Sequence, residues 1–449
     1  MHRFLPEKLK ILADNCPKPL YVVGGFVRDF FIGKKEGSTD VDLCAPLSAD
    51  EFLACAEKTG FHAVAVYRNT GTVKIKGEDG EEYEFTSFRS DEYVRGKHTP
   101  ERIFFTEEIE KDARRRDFTM NAVYYDVKNK SFVDPLGGIE DIKHRKIRTV
   151  DNPQKVFGED GLRLMRLARQ SGQTGFQPTH DCKQAAKDNA NLIEDISKER
   201  IFTELCLCLH ADEKYGNKNG HYEAFKLLEE TEVLAHIFPD LWLGKGMKQR
   251  ADFHRYDVLE HSLRALLYAH PSVRLSALLH DVAKPICTIR YGNSHQHNEE
   301  GETLARKILG SLKAPKKVIE ETAELVRYHM YDFDGKTKEN KLRRFLVEHH
   351  SILPKLLLLK QADYSACKDD PSPCPTLLRW EKLLSKMRQE KVPFTLKELK
   401  VKGDDILLLG CEKREISSIL HSLLLLCSTQ PEENEKERLL KRARAFIQK

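Results

Sequence analysis

The chain has 449 residues, of which 32% are charged and 40% hydrophobic, and its formal net charge is +4. This length predicts about three domains with real buried cores. Its apolar runs are far shorter than the roughly 20 residues that span a bilayer, which argues against an integral membrane protein. Eleven irregularly spaced cysteines predict neither a disulfide framework nor a zinc set, and the amino terminus lacks the apolar segment of a secretion signal, so we expect a reducing, cytoplasmic location.

The first predicted elements are a strand, a tight turn and a helix near the amino terminus. Residues 20–23 are apolar, Gly24 and Gly25 interrupt them, and residues 26–32 have helical apolar spacing. A glycine pair at a helix N-terminus lets the backbone approach an anion closely, and the free amides there favour phosphate. Arg28 could add positive charge to the same turn.

A second strand is predicted over residues 39–45, and it carries two aspartates. Because side chains alternate along a strand, Asp40 and Asp42 share a face at a separation of about 6.6 Å. Two carboxylates beside a phosphate-binding turn suit Mg²⁺ that also holds a nucleotide triphosphate. A bare Asp-x-Asp is more often a solvated turn, but the preceding Gly-Gly-x-Val-Arg-Asp string favours the metal site.

Together these strings resemble the signature of the bacterial-type tRNA nucleotidyltransferases, the CCA-adding enzymes, and of the related bacterial poly(A) polymerases. The residues that carry the resemblance are Gly24, Gly25, Val27, Arg28, Asp29, Asp40 and Asp42. The resemblance implies an α+β protein, in which a mixed α/β nucleotidyltransferase head of the polymerase-beta-like type precedes an all-α remainder. The implied domains are a catalytic head over 1–143, a neck that recognises the nucleotide base over 144–212, a body with an HD domain over 213–370, and a tRNA-binding tail over 371–449.

The rest of the head continues as a mixed α/β pattern. Apolar spacing predicts a helix over 50–59 and strands over 63–66, 72–76 and 83–88. The last strand, Tyr-Glu-Phe-Thr-Ser-Phe-Arg, is similar to a family strand beside the paired aspartates, so the resemblance implies that Glu84 is a third catalytic carboxylate. Taken alone, Glu84 is one of four neighbouring glutamates and would be expected at the surface.

Two further segments of the head have family counterparts. Residues 90–99 lack periodicity and predict a mobile loop. In the family a loop at this place helps to switch specificity from C to A addition. The loop looks intact in this sequence, which argues against an enzyme that adds C only. Residues 110–123 predict an amphipathic helix, and their Arg-Arg-Asp-Phe-Thr-Met-Asn-Ala string resembles a second family signature that places Arg116 and Asp117 near the sugar and phosphates. A short strand over 146–150 follows, and the remainder is predicted to be almost wholly helical.

A helical stripe over residues 156–169 brings Asp160 and Arg163 onto one face, because they are three residues apart. From spacing alone an intrahelical salt bridge is the simpler interpretation. The pattern also matches the base-reading helix of the family, and a carboxylate with a guanidinium can pair with the amino donor and ring acceptor of cytosine or adenine but not with the reversed edges of guanine or uracil. Arg166 is expected to support this pair from the next turn.

A second constellation lies between residues 250 and 370. Histidines and aspartates on separate predicted helices suit a divalent transition metal. Their order resembles the HD phosphohydrolase superfamily, whose metal-ligand positions correspond here to His261, His280, Asp281 and Asp363, with His297 and His329 as its additional histidines. An inactive HD fold kept only as a scaffold for tRNA is the alternative.

The resemblance therefore implies template-independent addition of C, C and A to the 3′ end of tRNA from CTP and ATP, by two-metal nucleotidyl transfer with release of pyrophosphate. Alternatives within the fold are an A-only adding enzyme and a poly(A) polymerase. An alternative from another class is that the HD site is the working centre and the head only binds nucleotide or RNA. A purely structural RNA-binding role would leave Asp40, Asp42 and the Asp160–Arg163 pair unexplained.

Overall fold

The computed structural model describes residues 1, 5–34, 41–78, 80–92 and 101–447. The chain divides into two compact units, Met1–Pro239 and Asp240–Lys449. The first unit contains a mixed sheet and helices, whereas every element described in the second unit is helical. This agrees with the predicted α+β head followed by a helical remainder. Asp40 and residues 93–99 of the predicted loop lie outside the described residues.

The described strands all lie in the first unit. In chain order they are β1 (Tyr21–Val23), β2 (Asp42–Ala45), β3 (Phe61–Tyr67), β4 (Thr72–Gly77), β5 (Glu82–Ser87), β6 (Arg89–Glu92), β7 (Arg102–Phe105), β8 (Tyr124–Asp126), β9 (Ser131–Val133), β10 (Lys146–Ile147) and β11 (Gln177–Pro178). Seven of them form one sheet in the order β3-β4-β5-β2-β1-β8-β9. Within it β2 and β5 run parallel, and the other neighbours are antiparallel. The parallel register sets Asp42 of β2 opposite Glu84 of β5.

Helices cover the sheet of the first unit and continue to its end. They are α1 (Glu7–Asn15), α2 (Gly25–Ile32), α3 (Ala49–Lys58), α4 (Ile109–Arg114), α5 (Gly138–Lys143), α6 (Pro153–Glu159), α7 (Leu162–Thr174), α8 (His180–Asp188), α9 (Lys198–Leu209), α10 (Ala211–Tyr215), α11 (Gly220–Glu230) and α12 (Val233–Ile237). A short helix, α13 (Pro239–Trp242), begins at the last residue of this unit and continues into the second. Helix α3 begins with a capping box, in which the Ser48 hydroxyl and the Glu51 carboxylate satisfy each other's backbone N–H groups. Its Phe52 ring stacks on Phe85 of β5 at a centroid distance of 3.8 Å, which packs this helix on the sheet.

The second unit consists of helices around an apolar core. They are α14 (Val258–Tyr268), α15 (Arg274–Leu279), α16 (Lys284–Tyr291), α17 (His297–Ser311), α18 (Lys316–Tyr328), α19 (Glu339–Glu348), α20 (Leu353–Lys368), α21 (Pro375–Gln389), α22 (Gly403–Leu407), α23 (Ile416–Thr429) and α24 (Lys436–Ile447). Trp380 and Leu356 are fully buried in this core. A search of the described helices finds none with the length and apolarity needed to cross a bilayer.

Three local predictions differ from the structure. Residues 90–92 are not loop but part of β6, which pairs antiparallel with β7. The helix predicted over 110–123 ends after Arg114, and a 3-10 turn at Thr119–Asn121 follows. The stripe over 156–169 is two helices, α6 and α7, which are separated at Asp160 and Gly161. The short strand β11, which pairs with β10, was also not predicted.

Candidate active site

The turn between β1 and α2 depends on a glycine. Gly24 has a φ of +76° and a ψ of −141°, a backbone conformation that L side chains rarely adopt. A Cβ at this position would lie 2.9 Å from Oδ2 of Asp42. The absence of a side chain at residue 24 therefore lets a carboxylate lie directly against the turn at the start of α2, and the first-turn amides of a helix favour an anion.

Asp42 and Glu84 form an acidic pair on adjacent strands. They are register partners in the parallel pair β2–β5, so both side chains lie on one face of the sheet. Both are partly exposed, and the Lys74 ammonium lies 3.0 Å from Oε2 of Glu84. The sheet thus brings together two of the three predicted catalytic carboxylates; Asp40 lies just before the described start of this strand.

Arg28 is buried beneath the glycine turn. Its guanidinium donates to Oδ1 of Asn121 at 2.7 Å and to Oε1 of Gln170 at 2.9 Å, and it forms an ion pair with Asp29. Tyr215 donates its hydroxyl hydrogen to the same Asp29 carboxylate. Arg28 therefore joins the turn to helix α7, and its charge is held within the protein by these partners.

A buried carboxylate that the sequence reasoning did not single out organises the second signature. Asp112 accepts from Nε of Arg115 at 2.7 Å, from the Arg116 guanidinium at 3.1 Å, and from the Tyr124 hydroxyl at 2.7 Å. Burial by itself would raise the pKa of Asp112, but the guanidiniums of Arg115 and Arg116 outweigh it and lower the pKa to about 2. Its spacing of three and four residues from the two arginines was the available signal.

Asp117 lies shortly after the end of α4 and contacts an arginine of α7. Its Oδ1 accepts from the backbone N–H of Phe118 at 2.7 Å and from Nδ2 of Asn121 at 3.0 Å. Its Oδ2 lies 2.8 Å from a guanidinium nitrogen of Arg166 on α7. The Asp117 charge is the main reason that the pKa of Arg166 is raised. The predicted nucleotide residues Asp117 and Arg166 are therefore in direct contact.

Asp160 and Arg163 are not on one continuous helix face, so that part of the prediction is wrong. Asp160 is extended and ends α6, and a Cβ at Gly161 would lie 2.3 Å from the Leu192 carbonyl oxygen, which makes glycine necessary at the break. Both Asp160 and Arg163 are nevertheless buried at the start of α7. Arg163 donates to the carbonyl of Arg115 at 2.8 Å and to Oε2 of Glu159 at 2.9 Å, which ties it to the second signature.

The second unit brings together all of the predicted HD ligands. Oδ2 of Asp281 lies 3.2 Å from Nε2 of His280 and 3.5 Å from Nε2 of His261, and Oδ1 of Asp363 lies 3.0 Å from Nε2 of His261. The other oxygen of Asp281 lies 3.2 Å from Nε2 of His297 and 3.6 Å from Nε2 of His329. Asp281 therefore stands between two pairs of histidines.

The histidine tautomers are fixed by the backbone. Nδ1 of His280, His297 and His329 lies 2.7, 2.7 and 2.6 Å from the carbonyls of residues 277, 294 and 326, respectively. Because a carbonyl only accepts, each Nδ1 carries the hydrogen, so each ring presents its Nε2 to the cluster. The Nε2 atoms of His261 and His280 are 3.1 Å apart, and those of His297 and His329 are 3.3 Å apart.

This donor set fits divalent cations. Two nitrogens that each lie about 2.1 Å from one tetrahedral ion are separated by about 3.4 Å. The two Nε2–Nε2 distances, 3.1 and 3.3 Å, are close to this value. Neither oxygen of Asp281 receives a hydrogen bond of normal geometry from the described residues, although the Lys284 ammonium lies 2.6 Å from one of them. Burial makes the negative charge of Asp281 and Asp363 costly unless cations compensate it, which favours a metal ion among these donors.

Three family models match the chain. The Poly A polymerase head domain matches residues 20–148, the probable RNA and SrmB-binding site of polymerase A matches residues 175–243, and the HD domain matches residues 258–366. The first includes the glycine turn, β2, β5 and the second signature, and the third includes the whole histidine–aspartate cluster. The matches follow one another in the order that the resemblance implies.

Named relatives agree with these models. A CCA-adding enzyme of Geobacillus thermodenitrificans (strain NG80-2) is 37% identical over 253 residues, and the match covers 54% of this chain and 59% of that enzyme. A CCA-adding enzyme of Bacillus cereus (strain B4264) is 33% identical over 283 residues, which are 60% of this chain and 67% of that enzyme. This chain belongs to the CCA-adding enzyme family. The crystal structure of the Bacillus stearothermophilus CCA-adding enzyme in complex with CTP has the same fold, with a TM-score of 0.68, 25% identity, and coverage of 99% of this chain and 98% of that one.

Membership of the CCA-adding enzyme family confirms the suspected resemblance and the fold class. It also implies divalent metals, and the His261–His280–Asp363 and His280–Asp281–His329 groups are close enough to hold them. The proposed domain boundaries and the roles of individual site residues stay predictions.

Proposed function

We propose that this protein adds C, C and A to the 3′ end of tRNA from CTP and ATP. The observation that carries the proposal is the position of Asp42, which lies against the Gly24 turn and opposite Glu84. A triphosphate at the amides of α2 would meet these carboxylates directly. The matched RNA-binding model supports an RNA as the second substrate.

The reaction is an in-line nucleotidyl transfer. The 3′ oxygen of tRNA attacks the α-phosphorus, the bond from that phosphorus to the bridging oxygen breaks, the hydroxyl proton is released, and pyrophosphate leaves. Mg²⁺ held by Asp40, Asp42 and Glu84 would lower the pKa of the hydroxyl and offset charge on the leaving group. The glycine turn binds phosphate through Gly24 and Gly25, and positioning by these groups supplies most of the remaining rate enhancement.

Base selection is assigned to the start of α7. Asp160 accepts from the exocyclic amino group of cytosine or adenine, and Arg163 donates to the neighbouring ring nitrogen. Arg166, held by Asp117, supports the pair, and Arg116, held by Asp112, contributes charge near the sugar and phosphates. Arg28 contributes by fixing the turn from below.

The helical regions bind the tRNA in this proposal, with the neck over 144–212 next to the nucleotide, the HD body over 213–370 and the tail over 371–449. The eleven cysteines are all free thiols, which supports the cytoplasmic location that we propose.

A single-nucleotide incorporation assay tests the main proposal. A tRNA that ends at the discriminator base is incubated separately with labelled CTP, ATP, GTP or UTP. We expect two cytidines from CTP alone, adenosine after these cytidines, and neither guanosine nor uridine. Failure to incorporate cytidine would instead identify an A-only adding enzyme or a poly(A) polymerase.

A second activity, phosphoester hydrolysis, is favoured by the HD cluster. Its ligands are buried and oriented, and a cavity of about 800 Å³ beside them is lined in part by Asp281, Lys284 and Asp363. A divalent transition metal there would activate water toward a phosphoester. Lys284, which also donates to Oε1 of Gln249 at 2.9 Å, is placed to attract the phosphate, and a cyclic phosphate at a damaged RNA end is a suitable substrate.

This second activity is tested with the metal-loaded protein and an RNA that ends in a 2′,3′-cyclic phosphate. We expect opening of the ring in the wild type and its loss in Asp281→Asn. Ring opening that persists in the variant, or no ring opening by the wild type, would leave the HD fold as a scaffold.

A further inference from the structure

Two phenylalanines on the wall of the HD cavity are unusually open to solvent. Phe333 is 63% exposed and Phe253 is 50% exposed, and both line the cavity that contains Asp281 and Asp363. An exposed ring makes little contribution to a packed core, so the two rings are available to a ligand. They place apolar aromatic faces in the same cavity as the ligand cluster and the Lys284 ammonium.

The turn that carries Phe333 is fixed by buried contacts. Asp332 has a φ of +55°, which is rare for a residue with a side chain. Its carboxylate accepts from the indole N–H of Trp380 at 2.7 Å, from Arg379 at 2.8 Å and from the backbone N–H of Thr337 at 2.8 Å. A well-anchored turn thus presents an exposed ring, which lowers the entropy cost of using that ring to bind a ligand.

Phe253 is presented by a second anchored turn. Its backbone N–H donates to the carbonyl of Arg250 at 3.1 Å, and the Arg250 guanidinium lies 4.8 Å from the centre of its ring. Two residues on, the backbone N–H of Arg255 donates to the Cys367 carbonyl at the end of α20, the helix that carries Asp363. This ring is therefore also held by the structure around the ligand cluster.

We propose that Phe333 and Phe253 are specificity residues of the HD cavity, which stack on the base of a nucleotide whose phosphoester lies at the ligand cluster. The inference rests on the phosphoester hydrolysis proposed above. In the reaction, water attacks phosphorus, the bond to the ester oxygen breaks, and the leaving alcohol takes a proton. Because every base has a flat face, stacking accepts all four bases, including the guanine that the Asp160–Arg163 pair would reject.

Guanosine 5′-monophosphate and ribose 5-phosphate form the substrate pair, since they differ only at C1 of the ribose, which carries guanine in the first and a hydroxyl group in the second. The full-length protein supplied with Mn²⁺ should hydrolyse the nucleotide with the higher kcat/KM. Phe333→Ala should lower the ratio of the two kcat/KM values about tenfold, the typical loss for one base–aromatic stack. Phe253→Ala should lower it in the same direction, and Phe333→Tyr, which keeps the ring, should retain it.

The control is Phe446→Ala, which removes an exposed phenylalanine that does not line the cavity. It should leave the ratio as in the wild type. A wild-type ratio near one, or a ratio that Phe333→Ala does not change, would overturn the proposal.

A binding measurement separates this proposal from the hydrolytic activity. If the wild type hydrolyses neither compound, the proposed hydrolase fails, but calorimetric titration with the same pair still tests the stacking contact. Tighter binding of guanosine 5′-monophosphate that is lost in Phe333→Ala would support it, and equal affinities would reject it. A comparison of guanosine 3′-monophosphate with an RNA that ends in a 3′-phosphate then shows whether the bound base belongs to a free nucleotide or to an RNA end. Faster hydrolysis of either compound than of ribose 5-phosphate supports the contact between the base and the phenylalanines. Hydrolysis of both at a rate no higher than that of ribose 5-phosphate overturns the proposed contact.

Discussion

The two candidate metal centres differ in burial and in how firmly their side chains are oriented. In the head, Asp42 and Glu84 are partly exposed on sheet strands beside a bare glycine turn. In the HD centre, His261, His280 and Asp281 are each no more than 1% exposed, and the backbone orients the imidazoles of His280, His297 and His329. The head is therefore expected to collect its ion together with a triphosphate, whereas the HD centre is organised to hold an ion without substrate.

The sharpest way to separate the centres is Asp42→Asn. This change keeps the size of the side chain but removes the charge opposite Glu84, so we expect nucleotide addition to fall by at least about 10³-fold. Metal content of the HD centre should not change. Labelled CTP incorporation and metal analysis measure the two effects, with Asp50→Asn, an exposed aspartate paired with Arg68, as the control that retains activity.

Gly24→Ala tests whether nucleotide addition depends on the close approach of the Asp42 carboxylate to the glycine turn. The new Cβ would lie 2.9 Å from Oδ2 of Asp42, so the carboxylate must shift. A displacement of this kind costs about 10²-fold in rate. The control is Gly33→Ala, which also has a positive φ, +85°, but meets no atom within 4 Å. Equal losses of activity in the two variants would show that backbone strain, and not the position of Asp42, matters.

Asp281→Asn tests whether the HD centre binds an ion on its own. Saturation with a metal at 100 times its dissociation constant should stabilise the wild type by about 2.7 kcal/mol. The variant should lose most of that gain because one oxygen of Asp281 faces each histidine pair. Thermal unfolding with and without Mn²⁺, in the absence of nucleotide, gives the answer. If Mn²⁺ does not stabilise the wild type, the HD centre does not hold an ion without substrate, and the contrast with the head fails.

The smallest expected effect is on the free energy of unfolding, and it comes from the Asp112 carboxylate of the head, which pairs with arginines and not with a metal. The pKa of Asp112 is lowered to about 2, so its carboxylate stabilises the fold fully above the unfolded-state pKa, and this contribution is lost as pH falls through about 2. It should amount to about 2 kcal/mol near neutral pH. The free energies of unfolding of wild type and Asp112→Asn should differ at pH 7 and converge toward pH 2; a difference that does not depend on pH would exclude this role.

The sequence predicted the local elements around the head site better than their assembly. The apolar run, the glycine pair and the helix spacing identified β1, the turn and α2 directly. The contact between Asp42 and Glu84 could not be read from periodicity, because β3 and β4 intervene in the chain and the parallel pairing of β2 with β5 is a long-range feature. Only the family resemblance singled out Glu84.

The errors have local physical causes. Asp117 accepts the N–H of Phe118, which competes with continuation of the helix. Gly161 breaks the predicted base-reading helix where the backbone passes close to Leu192, a tertiary contact without a signal in the apolar stripe. In the HD centre, the resemblance singled out the histidines and aspartates that the structure brings together. The position of Asp281 between two histidine pairs depends on the packing of separate helices and could not be predicted.

The most direct test of the account is sequencing of tRNA 3′ ends after incubation of a discriminator-ended tRNA with all four nucleotides. We expect wild type and Asp281→Asn both to yield ends that terminate in C, C and A, and Asp42→Asn to yield unextended tRNA. Ends that carry only adenosine, or extension by Asp42→Asn as efficient as that by the wild type, would contradict it.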